Sequence, residues 1–184
     1  MRREPNSVGE ETKQEEFEPY GPYKVEVSIK PGGRRIEEQE VGSFCNAPCM
    51  DVVSGSRGCY IFCMKVSNTM LPGYIGKATK DFKSEIFSPH KLDIYNSVLT
   101  DYERKYKPFI LFLIPKKRKG KTNKKAIDEL ETYLINNASE VNPRLRNKRK
   151  IRKPSRWVIK GISSQIHGVP KKELRELKRL IGKA

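Results

Sequence analysis

Three runs of apolar residues mark the centre of the chain. Gly58-Cys59-Tyr60-Ile61-Phe62-Cys63-Met64 is apolar at odd and even positions alike, the pattern of a strand covered on both faces. The stretch Ser67-Asn68-Thr69-Met70-Leu71-Pro72-Gly73 turns the chain, and Tyr74-Ile75-Gly76-Lys77-Ala78 is expected to return antiparallel to the first run. Phe109-Ile110-Leu111-Phe112-Leu113-Ile114, ended by Pro115, predicts a third buried strand. Between the second and third runs, residues 80–88 predict a short helix stopped at Pro89. Residues 90–105 predict a longer one, with Leu92, Tyr95, Val98, Leu99 and Tyr102 on one stripe. A further helix is expected over residues 126–139. At 100° per residue, Ile127, Leu130, Leu134, Ile135 and Ala138 share a face and Glu131 falls among them, with Asp128 at the flank and Glu129 opposite. Burying an unpaired carboxylate is costly, so Glu131 should face a cation, a metal or hydrogen-bond donors. A salt bridge to a lysine and a metal site both meet that requirement.

The flanks carry weaker patterns. Residues 1–20 are polar and acid-rich without a period, which predicts a disordered acidic arm. In residues 21–56, Tyr23-Lys24-Val25-Glu26-Val27-Ser28-Ile29-Lys30 alternates before Pro31-Gly32-Gly33, a hairpin signal. That hairpin would be an accessory ribbon, touching nucleic acid through Arg34 and Arg35 or covering a sheet edge. Residues 43–57, with Pro48, Ser54, Gly55 and Ser56, read as a loop. Residues 57–148 form the expected central domain, including a basic loop at 116–125. Residues 149–184 form a basic extension in which Trp157-Val158-Ile159 suggests a short strand. A last helix there, opened by Pro170 and closed at Gly182, puts Leu174, Leu177 and Ile181 on one stripe under a basic face. The fold class expected is α+β: a small three-stranded antiparallel sheet flanked by helices, with a hairpin arm and a basic tail.

Charge narrows the class of partner. Lys and Arg number 38 against 22 Asp and Glu, a net charge of +16 for 184 residues, so polyanions, and nucleic acid first among them, are the expected partners. No run approaches the ~20 apolar residues of a spanning helix, and Met1-Arg2-Arg3-Glu4-Pro5 is not followed by a signal-like apolar segment. The expectation is a cytoplasmic or nucleoid-associated protein, neither secreted nor membrane-bound; nothing indicates its oligomeric state. The cysteines are spaced Cys45-x3-Cys49 and Cys59-x3-Cys63. Because the second pair lies inside a strand-like run, reduced core or loop thiols are expected in preference to a zinc site or a disulfide scaffold.

These residues together resemble the GIY-YIG nuclease superfamily. Gly58-Cys59-Tyr60 stands in place of the first triplet, and Tyr74-Ile75-Gly76, followed by Lys77, matches the second. Leu130-Glu131 with Leu134-Ile135 resembles the helix that carries the family's metal-binding glutamate. Asn142-Pro143-Arg144-Leu145-Arg146-Asn147 resembles the closing segment, with Asn147 matching the family asparagine. The resemblance covers about residues 57–148. It departs from the family at Cys59, where a branched aliphatic is usual, and at Ser84 and Glu85, which stand where the family has an arginine.

The resemblance implies a metal-dependent endonuclease acting on DNA, preferred over RNA, with one Mg²⁺ or Mn²⁺ held by Glu131. It implies that Tyr60, acidified by Lys77 and the metal, takes the proton of the attacking water while Tyr74 binds phosphate or water. Asn147 would orient backbone or substrate, and His90 with Lys83 or Lys91 would replace the missing arginine. Gly76, Lys83, Lys91, Arg144 and Arg146 are the expected substrate contacts. A catalytically silent nucleic-acid-binding protein on the same fold is the alternative, and a basic RNA-associated protein with purely structural tyrosines is a second one.

Overall fold

The computed structural model describes residues 15–116, 123–147, 157–159, 162 and 172–183. In chain order its elements are β1 (Glu15–Lys24), β2 (Ser28–Lys30), β3 (Gly33–Arg35), α1 (Glu38–Cys45), α2 (Pro48–Val53), β4 (Gly58–Val66), β5 (Thr69–Ala78), α3 (Phe82–Glu85), α4 (Pro89–Thr100), β6 (Lys107–Pro115), α5 (Lys124–Val141), β7 (Trp157–Ile159) and α6 (Lys172–Leu180). The α+β class is as expected, but the sheet is larger than three strands. Its order is β5-β4-β6-β1-β7, in which β5, β4, β6 and β1 run antiparallel and β7 adds parallel to β1.

Side-chain alternation divides the molecule into three layers. Cys59, Ile61 and Cys63 of β4, with Leu111 and Leu113 of β6, pack against α5 and α6. Tyr60, Phe62 and Met64, with Ile110, Phe112 and Ile114, point the other way, toward α1, α2, α3 and α4. Each face is buried, which is why these strands are apolar at every position. The stripe of α5 is in place: Ile127, Leu130, Leu134, Ile135 and Ala138 are all buried, and so is Glu131.

Expectations for the flanks and for one central turn change. Residues 15–20 are part of β1, whose Phe17 is fully buried, so the acidic stretch is partly built into the sheet; residues 1–14 of the expected arm lie outside the described residues. The hairpin exists, though only as Ser28–Lys30 against Gly33–Arg35. Its Arg34 is buried and does not face a nucleic acid: it donates to the carbonyls of Leu99, Tyr102 (2.7 Å) and Tyr106, fastening the ribbon to the C-terminal end of α4. A cation there meets the negative end of the helix dipole. Residues 43–57 are mostly helical. In α1, Glu37 and Glu40 form a reciprocal cap on the helix N-terminus, and Pro48 opens α2. The turn between β4 and β5 is confined to Ser67-Asn68, so β5 begins at Thr69.

The C-terminal helix is part of the core. Leu177 and Leu180 are fully buried, Ile181 nearly so, and the buried Glu176 pairs with Lys65 of β4 at 3.0 Å. Of the basic loop expected at 116–125, Asn123 caps α5 and Lys124 and Lys125 belong to it, while residues 117–122 lie outside the described residues, as do the basic run at 148–156 and Pro170. No helix among the described residues is long and apolar enough to cross a membrane.

Candidate active site

The two glycine–tyrosine triplets owe their glycines to close approaches. Gly58 adopts a φ of 144°, and a Cβ there would fall 2.0 Å from the carbonyl oxygen of Leu113 on β6. Gly76 lies opposite Tyr60 in the β4–β5 ladder, and a Cβ on it would fall 2.2 Å from Tyr60 Cζ. Gly76 is therefore the floor on which the Tyr60 ring lies. Phe82 packs edge-on to that ring at 6.2 Å, and Tyr74 is tilted against it at 6.4 Å.

This enclosure changes the chemistry expected of Tyr60. The side chain is fully buried, and neither its hydroxyl nor that of Tyr95 has a hydrogen bond of normal geometry. Burial, reinforced by the neighbouring Tyr95, Tyr74 and Glu85, drives the Tyr60 pKa far upward, so the phenol is neutral here and not a base. Acidification by Lys77 is not available either. Lys77 pairs with Cys59 in the ladder and so projects from the opposite face of the sheet.

Tyr74 is the phenol with a charged partner. Lys91 donates to Tyr74 Oη at 2.7 Å, lies 4.9 Å over its ring, and pairs with Glu85 at 3.6 Å. Lys91 sits in the first turn of α4, where the helix dipole disfavours a cation, and the Glu85 carboxylate offsets that. Lys83 and His90, the other expected substitutes for the arginine, are exposed. Ser84 is exposed as well. Its backbone N–H is held at 2.7 Å by Asp81, the N-cap of α3, and Asp81 is pulled below the usual carboxylate range by that bond.

On the other face, Lys77 meets α5. Its ammonium lies 2.8 Å from Asp128 and 3.1 Å from Glu131, two carboxylates one helical turn apart. Burial works against the Lys77 charge, but the hydrogen bond to Asp128 and the charge of Glu131 outweigh it, and the lysine pKa is raised. The cation that a buried Glu131 demanded is thus Lys77, and Asp128, which the stripe left at its flank, completes the group. For a divalent metal the donor chemistry fits: hard carboxylate oxygens, one or two of which usually suffice for Mg²⁺ when phosphate supplies the rest. Glu131 and Asp128 would hold it. No three of His, Cys, Asp and Glu come together as a metal cage among the described residues.

The closing segment runs along β5, the outer strand of the sheet. Asn147 accepts from the Ile75 N–H and donates to the Ile75 carbonyl, both at 2.7 Å, as a paired strand would. The Arg146 N–H donates to the Gly73 carbonyl at 2.9 Å, and Asn142 donates to the Pro72 carbonyl and the Tyr102 hydroxyl. Arg144 and Arg146, expected to contact substrate, are exposed and turn back to the end of α4: Arg144 donates to the Asp101 carbonyl, and Arg146 pairs with the Asp101 carboxylate. Asn142 and Tyr102, expected only as members of the closing segment and of a helix stripe, and Asp101 are not among the expected site residues. The signal available for them was Asn142 placed directly before Pro143 at a helix end, a residue type that caps and bonds backbone locally.

No family model, curated protein or solved structure matches this chain. The geometry alone therefore has to carry the functional reading. Tyr74 with Lys91 lies on one face of β5, Lys77 with Asp128 and Glu131 on the other, and Asn147 clamps the strand between them. Tyr74 and Lys77 are three residues apart, about 10 Å along a strand. Cys59 and Cys63 are buried on the α5 side, and Cys45 and Cys49 are half-buried in the opposite layer.

Proposed function

We propose that the protein is a metal-dependent endonuclease that hydrolyses phosphodiester bonds in DNA at the β5 edge of its sheet. The observation that carries this reading is the convergence of three polar groups on the four residues 74–77: Lys91 on Tyr74, Asn147 on Ile75, and Asp128 with Glu131 on Lys77. A strand edge in a purely structural sheet has no need of this concentration of charge. The net charge of +16 favours a polyanionic substrate.

In this account Lys91 supplies positive charge to a phosphate, the role expected of the absent arginine, and Tyr74 Oη hydrogen-bonds the phosphate or the attacking water. Asn147 fixes the backbone that carries both groups. Bound at Glu131 and Asp128, a divalent cation would stabilise charge developing on the phosphate oxygens. Lys77 balances the two carboxylates and stands ready to contact phosphate once it leaves them. Tyr60 supports the Tyr74 ring from within the core.

A second reading, a nucleic-acid-binding protein without catalysis, is favoured by the enclosed Tyr60 hydroxyl and by the exposed Ser84 in place of a cation. Incubation of supercoiled plasmid with Mg²⁺ and with Mn²⁺ separates the two. Metal-dependent nicking that Glu131→Ala abolishes is the expected result. Salt-sensitive retention of DNA without nicking would establish the second reading instead.

A further inference from the structure

We infer that the outer face of α6 is a track for the phosphate backbone of duplex DNA, separate from the β5 edge. The inference rests on the nucleic-acid part of the proposed function but not on catalysis. Taken as sequence, α6 is a basic amphipathic helix, a pattern shared by helices that lie on anionic membranes. The packing rules that use out, because the apolar stripe is spent. Leu174, Leu177, Leu180 and Ile181 are buried in the core formed with α5 and the sheet. Only charge is left facing outward. Lys172, Arg175 and Arg179, at i, i+3 and i+7, are exposed on one face, and Lys183 continues the row just past the helix end.

The helix that carries the row is anchored at both its middle and its end. Glu176, buried between α6 and β4, pairs with Lys65 at 3.0 Å, while Arg179 reaches the same carboxylate at 3.4 Å. At the C-terminus Gly182 takes a φ of 63°, and the Lys183 N–H returns to the Lys178 carbonyl at 2.8 Å, so that position is fixed too. From Lys172 to Arg179 the helix rises about 10 Å, the axial advance of about three base pairs. A charged row of this length, carried by a helix packed into the core, matches a run of phosphates without reading bases. It lies in the same layer as α5, the helix of Asp128 and Glu131, so a duplex on the track would approach from the side that carries those carboxylates.

The test is the salt dependence of binding to a short duplex, measured by fluorescence anisotropy in EDTA so that no cleavage intervenes. Three chains are compared: the parent, the triple variant Lys172→Gln/Arg175→Gln/Lys183→Gln, and a control with equal charge loss, Lys30→Gln/Arg104→Gln/Lys105→Gln, at exposed positions in the hairpin and the segment after α4, in the layer opposite α6. Each lost phosphate contact lowers the slope of log K against log salt by about 0.9. The α6 variant should therefore lose about 2 to 3 from its slope and the control should stay near the parent. Equal losses in both, or none in the α6 variant, would overturn the track. A parent that does not bind duplex DNA would end both this inference and the nucleic-acid reading, whereas a parent that binds but never cuts would end only the catalytic one.

Discussion

The ring of Tyr60 occupies the space that a side chain on Gly76 would need: a Cβ at residue 76 would lie 2.3 Å from the Tyr60 hydroxyl and 2.8 Å from Cε1. The glycine of one strand and the tyrosine of its neighbour are thus a single steric unit. Gly76→Ala is expected to displace a fully buried ring and to lower stability by about 1–3 kcal/mol, the usual range for overpacking. Tyr60→Phe keeps the ring and removes a buried hydroxyl that has no normal hydrogen bond, so it should leave stability unchanged or raise it by about 1 kcal/mol. Urea midpoints of the three proteins measure both effects. A Tyr60→Phe variant that unfolds much more easily would mean that the hydroxyl has a partner.

Asn147 supplies two hydrogen bonds to one residue of an edge strand. Asn147→Ala removes both and leaves the Ile75 N–H and carbonyl to find other partners, which should cost about 2 kcal/mol. Asn147→Asp can still accept from the N–H but presents an oxygen to the carbonyl in place of a donor, so it should not restore stability. Hydrogen exchange at the Ile75 amide reads the same loss locally.

Asp81 ties the start of α3 to the acid side of the stability curve. Its pKa is lowered in the folded protein, first by the hydrogen bond from the Ser84 N–H. The contribution is therefore present in full above the ordinary value of 3.8 and is lost as pH falls through the lower folded value. Asp81→Ala should destabilise by about 1 kcal/mol at neutral pH, as N-cap losses do, and the gap from the parent should shrink below pH 3.8. Thermal melts across that range check the sign.

Lys91 and Tyr74 are expected to matter more for cleavage than for folding. Lys91→Met keeps the aliphatic contact with the Tyr74 ring while removing the ammonium. The loss of one charge at the phosphate should slow nicking by about 10²-fold or more, with little change in the unfolding midpoint. His90→Ala, at an exposed position, should leave nicking close to the parent level.

What could be read from the chain beforehand follows from where burial is two-sided. The uninterrupted apolar runs of β4 and β6 and the Ile127–Ala138 stripe of α5 led directly to the centre of the fold and to Glu131. The Glu15-Glu16-Phe17-Glu18 stretch concealed a strand because one aromatic, Phe17, supplies most of its burial while the acidic neighbours stay half-exposed. Residues 38–53 hid two helices behind Gly42 and Pro48, since Gly42 lies inside α1 and Pro48 in fact starts α2. The pairing of Tyr60 with Lys77 failed for a different reason: they sit on opposite faces of adjacent strands, and a one-residue offset in the ladder register decides the face. Asp128 became part of the site only through its i, i+3 relation to Glu131 once Lys77 was placed between them.

The most direct measurement is the conversion of supercoiled plasmid to nicked circle by the parent and by Glu131→Gln, in Mg²⁺ and in Mn²⁺, at protein concentrations adjusted to bind the same fraction of DNA. The account predicts nicking by the parent that requires the metal and is lost in the variant at equal occupancy. Equal activity in the two proteins would contradict the assignment of Glu131, and absence of nicking in both would contradict the nuclease itself.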